Sequence, residues 1–217
     1  MIVDLNLHAK KVIVIGGGNE AQKRINSLLK QDCDIIVISD SVNLQINKLA
    51  KAKKIKLIKQ KIQDTKFISK FKPYMIITTT NDKNLNQKII SAAKKNRIIV
   101  YSSDNPEDSD FSNPAIIDFE SIIQIAIFTG GRSPAMSKKI RIQSEKLFKN
   151  IITKEDIAQI KIQEIARKLA KESIHTQTQR SEYLRGIMRD KEIDQLIKDG
   201  QLKKAERRII TILRDWK

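Results

Sequence analysis

The chain has 217 residues, of which 40% are hydrophobic and 31% are charged, and its formal net charge is +17. This composition fits a soluble globular protein with one sizeable domain and a smaller one. No apolar run approaches the roughly 20 residues of a membrane helix, and no signal peptide is visible. The single cysteine, Cys33, cannot form an internal disulfide, so these features favour the cytoplasm. The positive charge favours polyanionic partners, either a nucleic acid or a small molecule with many carboxylates.

A glycine-rich turn follows the first predicted strand. Val12 to Ile15 is a short apolar run rich in β-branched residues, which predicts a strand buried on both faces of a parallel sheet. Gly16, Gly18 and Ala21 then give the G-x-G-x-x-A spacing of dinucleotide-binding proteins. The first glycine allows a tight turn, the second lets backbone approach a pyrophosphate, and the third, small residue lets a helix from Glu20 to Lys30 pack closely. The alternative is a plain turn.

An acidic residue ends the second predicted strand, which runs from Asp32 to Asp40. Asp40 lies roughly 20 residues past the glycines, where an acid can accept hydrogen bonds from an adenosine ribose. The same carboxylate would repel a 2′-phosphate, so NAD is expected rather than NADP. The alternative is that Asp40 is a solvated loop acid.

Three more strands alternate with helices. The predicted strands are Ile55 to Ile58, Tyr74 to Thr80 and Arg97 to Tyr101, and the predicted helices cover 42–53, 65–70 and 85–95. This alternation predicts βαβ units and a parallel sheet, hence an α/β fold. The polar segments Thr78 to Asp82 and Ser102 to Asn105 fall at the carboxyl ends of strands, where ligands bind in such sheets.

The pattern changes after Pro106. Pro114 to Asp118 and Ser121 to Thr129 predict a hairpin, and Ser133 with Pro134 starts a helix that runs to about Phe148. Residues 121–144 contain no acid but carry several basic residues. This basic segment is either a solvated helix face or an anion-binding helix N-terminus.

The remaining residues, 154–216, predict a small helical domain. Breaks are expected near Ser173 to Thr178 and at Gly200. One apolar stripe is formed by Ile157, Ile160, Ile165 and Leu169.

Four blocks, in a fixed order, carry a resemblance to a known family. They are Val14 to Arg24, with three glycines and a basic pair; Ile77 to Asn84, similar to a pattern Ala-Thr-Asp-Asp-x-x-x-Asn; Ser103 to Pro106 with Phe111 to Ile116; and Thr129 to Arg141, with Gly-Gly-Arg-Ser-Pro. Together they resemble the siroheme synthase N-terminal family, the precorrin-2 dehydrogenases, over about residues 3 to 146. The chain departs from the family at Glu20, where valine is usual, and at Tyr101, where asparagine is common.

The resemblance implies an NAD-binding Rossmann domain over 1–113, a dimerisation segment over 114–150 and a helical domain over 151–217. The expected assembly is a homodimer, and the free-standing form of the enzyme is expected because no methyltransferase domain follows. The implied reaction is NAD-dependent oxidation of precorrin-2 to sirohydrochlorin. Some family members also insert Fe²⁺ to give siroheme. The tetrapyrrole substrate bears many carboxylates, which gives the positive charge of the chain a purpose.

The resemblance also assigns site residues. Asp104 matches the catalytic aspartate, and partial burial beside an apolar macrocycle would bring the pKa of this base closer to ambient pH. The expected cofactor-binding residues are Gly16, Gly18, Asn19, Glu20, Ala21, Asp40, Thr78, Thr79, Thr80 and Asn81. The expected substrate-binding residues are Asn113, Gly131, Arg132, Ser133 and Lys138. Asp104 could instead be a turn acid and Ser133 only an N-cap. The two histidines lack a ligand partner at i+3 or i+4, so no permanent metal site is expected.

Two other functions stay open at this point. An NAD(H)-sensing module would use the segment from Gly16 to Asp40 but gives no role to Asp104 or to the segment Gly130 to Pro134. Only the positive charge favours nucleic-acid binding. Aromatic residues make up only 5% of the chain and no nucleic-acid motif appears, and both facts speak against it. We therefore expect an enzyme with no nucleic-acid or membrane partner.

Overall fold

Five short apolar runs form a parallel sheet. Strand β1 spans Lys11–Ile15, β2 Asp34–Ser39, β3 Lys56–Lys59, β4 Met75–Thr78 and β5 Ile99–Ser102. Their order in the sheet is β3-β2-β1-β4-β5, and each neighbouring pair is parallel. This order confirms the predicted Rossmann-like fold, in which ligands bind beyond the carboxyl ends of β1 and its neighbours.

Four helices cover the two faces of this sheet. They are α1 Asn19–Leu28, α2 Leu44–Lys51, α3 Lys66–Phe71 and α4 Lys83–Lys95. Helices α1 and α2 pack with Val12 and Val14 on one face, while α3 and α4 pack with Ile13 and Ile15 on the other. Because both faces are buried, β1 is apolar at every position from Val12 onward.

Several strands are shorter than predicted. The second strand begins at Asp34 rather than Asp32, and the fifth begins at Ile99 rather than Arg97. Asp32 and Arg97 have φ angles of 48° and 55°, so each lies in a turn that hydrophobicity does not reveal. The fourth strand ends at Thr78, which leaves the next two threonines in the loop beyond the sheet.

The computed structural model describes residues 2–216, and the chain divides into two compact units, the first ending at Asn113 and the second beginning at Pro114. The second unit opens with an antiparallel hairpin of β6 Ala115–Phe119 and β7 Ile123–Ile127, followed by α5 Pro134–Ile151. No helix in the described part of the chain is long and apolar enough to cross a membrane.

Four further helices share one core in the second unit. They are α6 Lys154–Ser173, α7 Gln177–Arg189, α8 Lys191–Lys198 and α9 Leu202–Arg214. The predicted breaks near 173–178 and at Gly200 are confirmed, and an unpredicted one falls at Asp190, whose side chain caps α8. The predicted stripe on α6 is partly wrong. Ile160 is 40% exposed, while Ile162, Ala166 and Ala170 are buried with Ile157, because small alanines allow close helix packing.

The middle glycine of the glycine-rich turn, Gly17, packs against the loop that follows β2. A β-carbon on Gly17 would lie 2.0 Å from the carbonyl oxygen of Ser41, whereas one on Gly18 would meet no atom within 4 Å. We expect Gly17→Ala to lower the free energy of unfolding by about 1–3 kcal/mol, since backbone must shift. Gly186→Ala is the control, because a β-carbon on this exposed residue of α7 would also meet no atom within 4 Å, and it should not lower the free energy of unfolding. Urea unfolding followed by circular dichroism measures both, and equal effects would contradict the packing described here.

Candidate functional site

The glycine-rich turn lies in the middle of the carboxyl edge of the sheet. Gly16 follows β1 with a φ of 112°, and its N–H donates to the Ile38 carbonyl at 3.1 Å. A β-carbon on Gly16 would lie 2.5 Å from Thr79 Oγ1, so only glycine fits. The N–H and the hydroxyl of Thr79 both donate to the Ile15 carbonyl at 2.8 Å. The ends of β1 and β4 are therefore held together beneath the turn.

The N-terminus of α1 is open to an anion. Gly18 is its N-cap and supplies no side chain to bond the first-turn N–H groups. Gly18 and Asn19 are exposed, and the position a β-carbon would take on Gly18 is empty to 4 Å. Ala21 is wholly buried, so the helix starts close to the sheet. This arrangement leaves the first-turn N–H groups and the positive end of the helix dipole open to an anion.

Glu20, expected to contact the cofactor, is paired within its own helix. Its carboxylate accepts hydrogen bonds from Lys23 Nζ at 3.2 Å and from the Arg24 guanidinium. Arg24 also donates to the Tyr101 hydroxyl at 2.9 Å and lies 4.8 Å from the centre of that ring. Burial alone would raise the pKa of Glu20, but Lys23 and Arg24 hold that pKa below its usual range. The Glu20 carboxylate is therefore ionised, and the positive charges of Lys23 and Arg24 balance its negative charge beside the helix N-terminus.

Asp40, which we predict to contact a ribose, lies at the carboxyl edge of the sheet. It is exposed, directly follows β2, and accepts a hydrogen bond from the Ser41 hydroxyl at 3.4 Å. Among residues 2–216 no lysine or arginine forms a salt bridge with it. The carboxylate is thus available to accept hydrogen bonds from ribose hydroxyls.

A buried hydrogen-bond network holds Asp104 just beyond β5. The Ser102 hydroxyl donates to Asp104 Oδ1 at 2.5 Å, and Asn86 Nδ2 donates to the same oxygen at 3.0 Å. Ser102 Oγ lies 2.7 Å from Thr78 Oγ1. Thr78 and Ser102 are 0% exposed and Asn86 is 1% exposed, whereas Asp104 is exposed. A carboxylate at the surface is therefore held by groups that are fixed in the interior.

The same network reaches the loop after β4. The Thr80 hydroxyl donates to Asn86 Oδ1 at 2.7 Å, and Asn86 Nδ2 donates to the Thr80 carbonyl at 2.9 Å. Partial burial alone would raise the pKa of Asp104, but the bonds from Ser102 and Asn86, with the nearby charge of Lys83, give a net lowering. In the free chain the pKa is thus lowered rather than raised towards neutrality. Asp104 is a fixed, ionised acceptor.

The expected substrate residues beyond Asn113 lie in the second unit, at the start of α5. Gly130 and Gly131 have φ angles of 65° and 74°, which makes a tight turn before the helix. Ser133 is the N-cap, since its Oγ accepts the N–H of Met136 at 3.2 Å. Arg132 and Lys138 are exposed. Asn113 is exposed at the end of the first unit.

The expected cofactor residues and Asp104 thus come to one edge of the first unit, but sequence reasoning missed part of this edge. Gly17, Asn86 and the stacked Arg24–Tyr101 pair were not predicted. Asn86 had a signal: when the fourth position of the family pattern Ala-Thr-Asp-Asp-x-x-x-Asn is set at Asp82, its final asparagine falls at Asn86 and not at Asn84. In the described part of the chain no group of three or more His, Cys, Asp or Glu could hold a metal ion.

Comparisons with known proteins show what the chain is similar to. A family described as "Putative NAD(P)-binding" matches residues 3–115, more than half of the chain. Siroheme synthases of Psychromonas ingrahamii and Actinobacillus pleuropneumoniae are 28% and 27% identical over 92% and 93% of this chain. The siroheme synthase of Vesicomyosocius okutanii subsp. Calyptogena okutanii is 33% identical over 65%. The chain spans 40%, 40% and 29% of the lengths of these relatives.

A solved structure shares the fold over nearly the whole chain. The structure of SirC, precorrin-2 dehydrogenase, superposes with a TM-score of 0.70 and covers 97% of this chain and 99% of that one, at 20% identity. The match extends through both units. The chain therefore belongs to the NAD(P)-binding family that matches residues 3–115, and the predicted cofactor class and the resemblance to siroheme synthases are confirmed.

Proposed function

We propose that the protein is a precorrin-2 dehydrogenase that uses NAD⁺ to form sirohydrochlorin. The observation that carries this proposal is a fixed carboxylate, Asp104, at the same sheet edge as an open glycine turn. Such an edge can place a proton acceptor beside a nicotinamide cofactor. The names of the relatives and of the structure that shares the fold support the same reaction.

The chain offers a fitting place for NAD. The first-turn N–H groups of α1, at Gly18 and Asn19, would bind the diphosphate, and Asp40 would accept the ribose hydroxyls. Thr79, Thr80 and Asn81 would line the nicotinamide side, whereas the buried Thr78 would act only through Ser102. When bound, NAD⁺ supplies the acceptor for the hydride that leaves the macrocycle.

Asp104 would take the proton that leaves in the same oxidation. Both of its side-chain donors, Ser102 and Asn86, reach Oδ1. The lone pairs of Oδ2 can therefore face a substrate C–H or N–H. The lowered pKa of Asp104 keeps it ionised, and contact with an apolar macrocycle would remove water and strengthen it as a base.

The basic start of α5 would bind substrate carboxylates. Arg132 and Lys138 are exposed cations, and Gly131 and Ser133 lie beside the helix N-terminus. The Ser133 oxygen accepts the capping bond, so its hydroxyl proton can still be donated to a carboxylate. Asn113 completes the proposed set.

Insertion of Fe²⁺ into sirohydrochlorin is a further part of the proposal. Metal entry releases pyrrole protons, and Asp104 is an ionised acceptor that can receive them. Iron would be a substrate of this step rather than a resident ion.

We also propose a homodimer formed through α5. All 18 residues of α5 are described, and only Ser137 is buried. An apolar stripe at helical spacing is exposed, comprising Met136, Ile140, Leu147 and Ile151. Leu147 and Ile151 are each 65% exposed. A stripe of this kind on a long helix is typical of a helix–helix interface.

The central prediction concerns Asp104. We expect Asp104→Asn to lower the rate of NADH formation from precorrin-2 by at least about 100-fold, because the amide cannot accept a proton. Absorbance of NADH and sirohydrochlorin measures the rate, and the assay is then repeated with Fe²⁺ to follow siroheme. NAD⁺ affinity should change by less than about twofold.

Asp108→Asn is the matched control, because Asp108 lies in the same loop but bonds Asn105 and Gln87 instead of the network. It should keep wild-type activity. A wild-type protein that binds NAD⁺ but never oxidises precorrin-2 would contradict the enzyme and favour an NAD(H) sensor.

A second prediction concerns cofactor choice. We expect NAD⁺ to bind at least about tenfold more tightly than NADP⁺, since Asp40 repels the 2′-phosphate. Asp40→Ala should shrink this ratio, whereas Asp34→Ala, an exposed acid at the opposite end of β2, should not. Titration calorimetry with both nucleotides measures the ratio. An unchanged ratio in Asp40→Ala would remove Asp40 from the site.

A third prediction concerns assembly. We expect the wild type to be a dimer at micromolar concentration and Leu147→Asp to be a monomer, because a buried unpaired charge opposes association. Met188→Asp is the control, since Met188 is 64% exposed but lies on α7. Light scattering after size-exclusion chromatography gives the masses. A monomeric wild type, or a monomeric Met188→Asp, would reject α5 as the interface.

A further inference from the structure

We propose that Asn86 and Ser102 are positioning residues that hold Asp104 and the Thr80 loop in one fixed arrangement. A single buried network would then set the geometry of both the proton acceptor and the cofactor contact. This inference rests on the proposed function of Asp104, and it extends that function to two side chains behind the site.

The hydroxyl groups form a directed chain from the interior to Asp104. Thr78 and Ser102 are directly paired in the register of β4 and β5, and their oxygens lie 2.7 Å apart. A serine has one hydroxyl proton, and that of Ser102 points to Asp104. Thr78 must therefore donate to Ser102. Each hydrogen bond polarises the next, so the bond from Thr78 strengthens the one that Ser102 donates to the Asp104 carboxylate.

Asn86 joins the loop after β4 to the loop after β5, because both polar atoms of its side chain form hydrogen bonds there. Its Nδ2 donates to the Thr80 carbonyl at 2.9 Å and to Asp104 Oδ1 at 3.0 Å, while its Oδ1 accepts from the Thr80 hydroxyl at 2.7 Å. A flipped amide would place Oδ1 against two acceptors. The contacts therefore fix the amide orientation, and no other residue of this size supplies two donors and one acceptor.

Stability alone does not account for this polar network. Among residues 2–216 only four polar residues are buried, and three of them belong to it, namely Thr78, Asn86 and Ser102. Apolar side chains of the same shape would pack at these three positions with no desolvation cost. The polar side chains all converge on one exposed carboxylate, which indicates that its placement is their role.

The charged side chains near Asp104 do not supply the hydrogen bonds that Ser102 and Asn86 donate to it. Lys83 on α4 is the cation that lowers the pKa of Asp104 by its charge. Asp82 accepts the N–H of Leu85 as the N-cap of α4. Asp108 bonds Asn105 and pairs with Lys94 at 3.6 Å. The network therefore supplies the direct side-chain contacts to the Asp104 carboxylate.

The test compares Ser102→Ala, Thr78→Val and Asn86→Leu in the full chain. Three quantities are measured: the titration of the Asp104 carboxyl by carbon-13 NMR in the free protein, the affinity for NAD⁺, and the pH profile of precorrin-2 oxidation. The NMR titration needs neither cofactor nor substrate. Thr78→Val is nearly isosteric, so it gives an answer even if a larger change prevents folding.

We expect a distinct pattern for each variant. Ser102→Ala should raise the pKa of Asp104, move the acid limb of the pH profile upward, and lower kcat by about 10- to 100-fold, with NAD⁺ affinity unchanged. Thr78→Val should act in the same direction but more weakly. Asn86→Leu should do the same to Asp104 and also weaken NAD⁺ binding, because it releases the Thr80 loop.

Helix α4 offers both matched controls. Ser91→Ala removes an exposed hydroxyl that makes none of the network's bonds, and Asn84→Leu changes an exposed asparagine in the first turn of the same helix. Both should leave the titration of Asp104 and the rate unchanged.

Two results would overturn the inference: an Asp104 titration that is the same in Ser102→Ala and Thr78→Val as in the wild type, or an equal shift in Ser91→Ala. If the wild type does not oxidise precorrin-2, the proposed function fails. The titration and the NAD⁺ affinity still decide the positioning role in that case, so the two failures are distinguishable.

Discussion

One row of the parallel sheet fixes where the whole candidate site lies. Ile38, Ile15, Thr78 and Ser102 are consecutive partners across β2, β1, β4 and β5. The next residues along each strand leave the sheet at the same edge, because parallel strands end in the same direction. The glycine turn, Asp40 as the proposed ribose contact, the threonine loop and the proposed proton acceptor all follow from this row. A shift of one residue in any strand would move its contribution to the wrong face.

The side chains of this row change from apolar to polar across the sheet. Ile38 and Ile15 are apolar and lie under the glycine turn, whereas Thr78 and Ser102 present hydroxyls to each other. Buried hydroxyls are costly unless they are bonded, and here each is satisfied by its neighbour or by Asp104. The sheet is therefore purely structural under the proposed diphosphate site and polar under the proposed acid–base site.

The second unit combines a helical core of its own with an exposed apolar stripe on one helix. The four C-terminal helices, α6 to α9, bury a core of their own, while α5 carries an apolar stripe that its own unit leaves exposed. Exposed stripes of this size are unfavourable in water, which is why a second copy of the chain is the proposed cover. The proposed substrate residues lie at or just before the start of the helix that carries this stripe, so assembly and substrate binding would both depend on α5.

The sequence by itself determined the sheet, the glycine turn and the placement of Asp40 and Asp104 at strand ends. Those features depend on local signals: apolar runs, glycine spacing and the alternation of strands with helices. Only the tertiary structure decided how Gly17 meets Ser41, how Arg24 stacks on Tyr101, and how Asn86 reaches Asp104. Each of these contacts joins residues far apart in the chain, and hydrophobic periodicity carries no information about which polar groups meet. The lowered pKa of Asp104 likewise depends on donors from α4 and β5, so no local pattern could predict its direction.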